Sequence, residues 1–185
     1  MCRYSMSSYK PHYACFACRK TFKRRLLRDV LDGYTKDIEE TPATCPECGG
    51  IMADMGLDFK SPKKKDIKTW DHMAALYSVG ITFHSCGCLG PGYIPNDIEQ
   101  LKGHLTEIKK TYLEHQYFWA RRKEDPEKQP QIAKDQHQNW GFLGQIPQEF
   151  KKGAKNKPKY DAAQALIYWS KKVAEIEKKI KLINN

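Results

Sequence analysis

Long apolar runs are what this sequence most conspicuously lacks. Across 185 residues the longest unbroken stretches are the five-residue segments 73–77 and 165–169. A membrane-crossing helix needs about 20 consecutive apolar residues, so a transmembrane protein is not expected. The N-terminal MCRYSMSSYKP lacks the apolar segment of a secretory signal, which predicts a cytoplasmic protein. There is no glycine-rich phosphate loop, serine elbow or H-E-x-x-H helix, so the common hydrolytic and nucleotide-binding chemistries have no motif here. Nor is there a helix-turn-helix, C₂H₂ finger or basic zipper, so nothing predicts base-specific reading of a duplex. Acidic side chains are outnumbered, 22 against 32 Lys+Arg, giving a formal net charge of +10. With 40% hydrophobic residues and a mean hydropathy of −0.74, the core must be modest for the length.

The charge is segregated. Residues 1–65 carry 13 basic and 8 acidic side chains, residues 66–149 carry 9 and 11, and residues 150–185 carry 10 and 3. Two basic ends around a near-neutral middle favour a polyanionic ligand, although solvated lysine-rich ends remain the plainer alternative.

Cysteine is the informative presence. Cys15-Phe-Ala-Cys18 and Cys45-Pro-Glu-Cys48-Gly-Gly are two C-x-x-C knuckles separated by 26 residues. Two intervening residues let a tight turn aim both sulfurs at one ion, and two such turns complete the tetrahedron Zn²⁺ prefers. Redox-active pairs are the competing reading. Cys15, Cys18, Cys45 and Cys48 resemble the four-cysteine zinc ribbon, a rubredoxin-like fold that recurs in ribosomal proteins, transcription factors and nucleic-acid-handling enzymes. The resemblance covers about residues 12–60. The separation exceeds the usual 15–20 residues, so an insertion lies between the knuckles, and residues 28–40 read as a short helix or an irregular excursion. Structural zinc contributes on the order of 10 kcal/mol to folding, which would offset the meagre core of residues 9–60.

His84, Cys86 and Cys88 alternate along an extended segment and so share one face. Three readings stand: a second metal site with Cys2, His72 or His104 as a fourth ligand, buried structural thiols, or a reactive thiol pair.

Arg19, Lys20, Lys23, Arg24, Arg25 and Arg28 place six cations in ten residues directly after the first knuckle. Lys63, Lys64 and Lys65 form a second cationic loop, and Lys151, Lys152, Lys155, Lys157 and Lys159 a third. Short basic segments around a metal-held core suit folded RNA, with Arg making forked hydrogen bonds to phosphate. Tyr9, Tyr13, Phe16 and Phe22 are candidates either to stack on bases or to cover the metal site.

Helical periodicity carries the rest. Ile67, Trp70, Ala74 and Tyr77 predict a helix stopped by Gly80, and residues 81–83 a short strand after it. Ile98, Leu101, Leu105, Ile108, Tyr112, His115 and Trp119 predict a long helix from Asp97 to Arg122, roughly 39 Å at 1.5 Å per residue, capped by Asn96 with Glu99. Ala162, Leu166, Trp169, Val173, Ile176, Ile180 and Ile183 predict another, starting at Asp161 with Gln164 in the reciprocal capping position. The two stripes, 98–119 and 162–183, could pair as an antiparallel hairpin or dock a protein partner.

The expected fold is α+β, a small zinc-ribbon β section followed by a mainly α-helical section with two long amphipathic helices. The sections are 1–65 (ribbon and basic loops), 66–123 (helix, His/Cys cluster, long helix), 124–160 (a Pro/Gln/Lys-rich connecting arm) and 161–185 (a basic amphipathic helix). Functionally the sequence points to a non-enzymatic zinc protein, with one site and a second under one reading of His84/Cys86/Cys88. It would bind structured RNA such as rRNA, in ribosome-associated, translational or other RNA-handling work. The alternatives are a zinc-ribbon adaptor between proteins and a metal- or thiol-dependent enzyme at His84/Cys86/Cys88.

Overall fold

A computed structural model describes residues 10–24, 42–85, 90–154 and 157–184. The excursion at residues 28–40 lies outside them. The fold is α+β, and the chain divides into two compact units, one reaching Leu101 and the other spanning Lys102–Asn184.

In the first unit, strands β1 (His12–Cys15), β2 (Lys20–Lys23) and β3 (Ala53–Gly56) form an antiparallel sheet in the order β2-β1-β3. Tyr13 pairs with Phe22 across β1 and β2, and both pack on the cluster of Cys15, Ala43, Cys45 and Met52. Side chains of successive strand residues point to opposite faces, so Ala14 joins a different cluster with Ala53, Met55, Phe59 and Trp70, against which Phe16, Met73 and Phe83 lean. Phe16 meets Trp70 edge-on at 6.3 Å. The N-terminal aromatics Tyr13, Phe16 and Phe22 therefore pack on clusters that hold the sheet and the knuckle cysteines.

The pairing of β1 with β3 slips between His12 and Tyr13, whose partners are Gly56 and Asp54, leaving Met55 as the extra residue of a bulge. Gly56 has φ +88°, and a Cβ there would lie 2.5 Å from the His84 nitrogen and 2.7 Å from the Phe83 oxygen. Only glycine admits this approach. Residues 81–85 are docked there by backbone hydrogen bonds, the Phe83 N–H donating to Met55 O at 2.8 Å and Asp58 N–H to Phe83 O at 3.1 Å. The expected strand at 81–83 is thus an extended segment held by the bulge rather than a regular sheet member.

Helix α1 (Ile67–Ser78) is capped by Asp66, whose carboxylate accepts from the Thr69 N–H at 3.1 Å and the Thr69 hydroxyl at 2.7 Å. The predicted helix is present, but its buried face is Trp70, His72 and Leu76, while Ile67 and Tyr77 are exposed. The anticipated stripe is rotated because the apolar patch of the sheet receives Trp70 and Met73.

Helix α2 (Ile98–Arg121) begins one residue later than expected. Asp97 takes the cap, accepting from the Gln100 N–H at 2.8 Å, and the Gln100 side chain accepts from the Asn96 N–H at 3.1 Å.

The second unit is built from the rest of α2, α3 (Gln129–Gly144), a 3₁₀ turn (Gln148–Phe150), the hairpin β4 (Lys151–Ala154) and β5 (Lys157–Tyr160), and α4 (Ala162–Asn184). Asp161 caps α4, accepting from the Gln164 N–H at 3.2 Å. Helices α2 and α4 run antiparallel: Lys109 pairs with Glu177 at 2.7 Å, and Gln116 donates to Ser170 at 2.8 Å. Between them Trp119, Ala165 and Trp169 form a core with Leu143 and Ile146 of the α3 region. Full burial of each large side chain there is worth about 1.5–3 kcal/mol. His115 is stacked on Trp169 at 4.0 Å and met edge-on by Phe142.

Residues 124–160, read from composition as a partly irregular arm, are folded through most of their length. Pro130 sits in the first turn of α3, where a missing N–H costs nothing. The apolar island of that segment divides: Leu143 and Ile146 are in the core, Phe150 packs against it, and Phe142 lies on His115, while Trp140 is 74% exposed.

Candidate metal centre and cationic surfaces

The first knuckle is the turn of the β1–β2 hairpin, and the second closes a narrow loop around the isolated bridge from Thr44 to Ile51. Cys45 N–H donates to Gly50 O and Gly49 N–H to Cys45 O, each at 2.8 Å. The residue after each knuckle is left-handed: Gly49 at φ +71° and Arg19 at φ +51°. The two turns thus share a positive φ at this position, but the first places a side chain where the second has glycine. A left-handed non-glycine residue costs roughly 1–2 kcal/mol, so the first knuckle is held in its turn by its surroundings.

The four sulfurs of Cys15, Cys18, Cys45 and Cys48 lie within 4.8 Å of one another. A tetrahedron with Zn–S arms of about 2.3 Å has edges of about 3.8 Å. The Cys15–Cys48 and Cys18–Cys45 separations are 3.6 and 3.9 Å, whereas a disulfide would need about 2.05 Å. All four are free cysteines. They form a zinc-ribbon-like knuckle site able to hold a metal ion, and an all-thiolate tetrahedron suits zinc or iron.

The electrostatics agree with that fit. The backbone amides of Cys48 and Glu47 draw the Cys45 thiol down to about 7. A hydrogen bond with Cys48, with burial and the other thiols, pushes Cys18 up to about 12, and Cys15 is raised by burial. Four sulfurs this close cannot all ionise against one another, and a bound cation is what would relieve the repulsion. The Cys18 N–H also donates to Cys15 Sγ at 3.5 Å, a contact that steadies a metal-bound sulfur.

Lys20 and Glu47 form an ion pair that links the two knuckles. The pairing lowers Glu47 and raises Lys20 from their ordinary values. Among the other cations singled out near the first knuckle, Lys23 is exposed, Arg19 and Arg24 are half-buried, and Arg25 and Arg28 lie outside the described residues. The Thr21 hydroxyl donates to Ser61 at 2.9 Å, tying β2 to the 61–65 loop. The Lys63 carbonyl accepts from the Trp70 indole at 3.2 Å. Lys63, Lys64 and Lys65 are exposed, and Lys64 adds to the field that lowers Glu47. The fold therefore gathers two basic stretches, 40 residues apart in sequence, beside the cysteine site.

His84 lies 3.4 Å from Asp54, and Cys86 and Cys88 lie outside the described residues. Of the proposed fourth ligands, His72 is buried with Nε2 2.9 Å from Pro95 O, His104 is on α2, and Cys2 lies outside the described residues.

The C-terminal lysines fall on the β4–β5 hairpin, apart from Lys155, which is also outside the described residues. Lys152 opposes Lys159 and Ala154 opposes Lys157, so strand alternation puts Lys152, Lys157 and Lys159 on one face. All three are exposed. Lys152 also pairs with Asp161 at 2.9 Å, and Lys151 donates to Gly144 O at 3.0 Å.

Sequence reasoning missed Arg122 as the centre of a buried network. Its guanidinium makes two bonds to Asp135, of 3.1 and 2.8 Å, and two to Asp125, of 2.9 and 2.7 Å. The other Asp125 oxygen accepts from the Tyr160 N–H at 2.7 Å. The only sequence signal was a charged run broken by Pro126, indistinguishable from a solvated linker.

No helix among the described residues is long and apolar enough to cross a membrane. No protein-family model, curated protein or solved structure matches the chain.

Proposed function

We propose that this is a non-enzymatic, cytoplasmic protein in which a zinc-held knuckle fold presents cations to structured RNA, in ribosome-associated or other RNA-handling work. The observation that supports it most is the sorting of lysines. Lys152, Lys157 and Lys159 share one exposed hairpin face, and the 63–65 loop is tied beside the cysteine site. Zinc rather than iron is the ion proposed, held by Cys15, Cys18, Cys45 and Cys48, with a purely structural role. Each phosphate neutralised by such a surface releases counterions, so affinity should fall steeply with salt. Binding of the full chain to a folded RNA is therefore expected to drop by orders of magnitude between low and moderate salt. A flat response, or no binding, refutes the reading.

The second reading is a protein adaptor, favoured by Trp140, which stands 74% exposed on α3. Copurification with and without RNase separates the two, since only an RNA-mediated association disappears on treatment.

A further inference from the structure

The basic surfaces account for phosphates but leave a feature of the helical unit unused. An open cleft of about 470 Å³ is lined by Glu114, Tyr117, Phe118, Arg121, Arg122 and Phe142. That volume lies within the roughly 300–1,000 Å³ typical of small-ligand sites. Phe118 and Phe142 are stacked on each other at 4.5 Å and 9°, so each ring spends one face on the other, and Arg122 lies over Phe118. Tyr117 is 59% exposed beside them, unlike Tyr13, Phe16 and Phe22, which pack on the first unit's clusters. Arg121 is exposed on the rim.

We propose that this cleft is a stacking site for one unpaired RNA base, with a flanking phosphate met by Arg121 on the rim. The inference rests on the RNA-binding reading and assigns it a site.

The link between cleft and hairpin is Arg122. Its guanidinium carbon lies 5.7 Å from the centre of the Phe118 ring and 5.2 Å from that of Tyr160, and Tyr160 is the residue after Lys159 on β5. Strand alternation puts Lys157 and Lys159 on the face of β5 opposite Tyr160, so the free cation at the cleft itself is Arg121. An exposed aromatic face beside a cation suits single-stranded nucleic acid, since every base has a π-face and every nucleotide a phosphate. Opposing charge is present too. Glu124 and Glu127 line the same depression as Lys157 and Lys159, while Asp125 is committed to Arg122 and the Tyr160 N–H. Those glutamates limit the phosphate contribution, so stacking would carry the preference for unpaired RNA. Glu114 supplies a carboxylate acceptor at the rim.

The test uses the full metal-loaded chain and fluorescence anisotropy with two labelled RNAs, a hairpin with an unpaired loop and the same stem as a blunt duplex. The wild type should prefer the loop. Tyr117→Ala should weaken loop binding by roughly 5- to 150-fold, the span of one base–aromatic stack, and leave duplex binding unchanged. Tyr117→Trp should restore the preference. Because Tyr117 is largely exposed, neither change should alter the melting profile, which is recorded alongside. If Tyr117→Ala binds the loop as tightly as wild type, or weakens loop and duplex equally, the stacking site is wrong and the RNA reading survives. If the wild type binds neither RNA, both fall.

Discussion

Replacing Arg122 with alanine should unfasten the helical unit. The Arg122 side chain is 8% exposed, and those of Asp125 and Asp135 only 16% and 17%. Truncation removes four charge-assisted hydrogen bonds and the cation that lies 5.2–5.8 Å from the centres of Phe118, Trp119 and Tyr160. It also leaves two carboxylates close together with no counter-charge. Removing one member of a buried pair costs about 3–5 kcal/mol, most of it from the charge left behind. The lower end applies here, because both carboxylates touch solvent and can rehydrate. For a unit of this size, each 1 kcal/mol moves the melting temperature by about 4–8 °C, so about 3 kcal/mol predicts a drop on the order of 10–25 °C. Acid adds an independent signature. The hydrogen bonds from Arg122 hold Asp135 below its ordinary value in the folded chain. At low pH the unfolded chain therefore takes up this proton first. The stability Asp135 supplies is complete above the unfolded carboxylate range near 3.8 and is lost as pH falls through the lowered folded value. In Arg122→Ala that acid-linked loss should shrink, since the partner that lowers Asp135 is gone. Urea denaturation followed by tryptophan fluorescence across this pH range measures both effects. A loss below about 1 kcal/mol with an unchanged acid dependence would refute the network's role, since that is what an exposed ion pair gives.

Three other perturbations follow from the fold. Gly56→Ala puts a Cβ 2.5 Å from the backbone nitrogen of His84 at φ +88°; it should destabilise the first unit by more than about 1 kcal/mol in urea denaturation. Gly50→Ala, whose Cβ would meet Cys48 Sγ at an ordinary 3.5 Å, should be close to neutral in the same assay. His115 is lowered below 6.5 by burial, so the unfolded chain protonates first and the second unit should weaken as pH falls from about 6.5 toward the folded value. His115→Phe should flatten that slope in melts recorded between neutral and mildly acid pH.

What could be read from sequence alone was whatever depends on near neighbours. Cys15 with Cys18 and Cys45 with Cys48 declare a site able to hold a metal because the chemistry of each turn is local, and the stripes Leu105–Trp119 and Trp169–Ile176 declare helices because their period is internal. Contacts made at a distance were not legible. The cap of α2 fell on Asp97 rather than Asn96, a choice between adjacent residues that both accept hydrogen bonds. The face of α1 was misjudged because it is selected by Ala14, Met55 and Phe59, which are remote in sequence. Segment 124–160 looked like an arm because proline and lysine dominate its composition, yet its order comes from Arg122, Asp125 and Tyr160 meeting across 38 residues. Lys20, read as a phosphate contact, is engaged by Glu47, a pairing that exists only once the two knuckles are brought together.

Metal at Cys15, Cys18, Cys45 and Cys48 is proposed to hold the first unit together. Limited proteolysis of the full chain, with and without strong chelator and read by mass spectrometry, addresses it directly. With structural zinc contributing on the order of 10 kcal/mol, stripping the metal should expose new cleavage sites between residues 10 and 60. The Lys102–Asn184 unit, whose core contains none of these cysteines, should stay intact as the internal control. A metal-free chain that resists cleavage in residues 10–60 as well as the loaded form does would contradict the account.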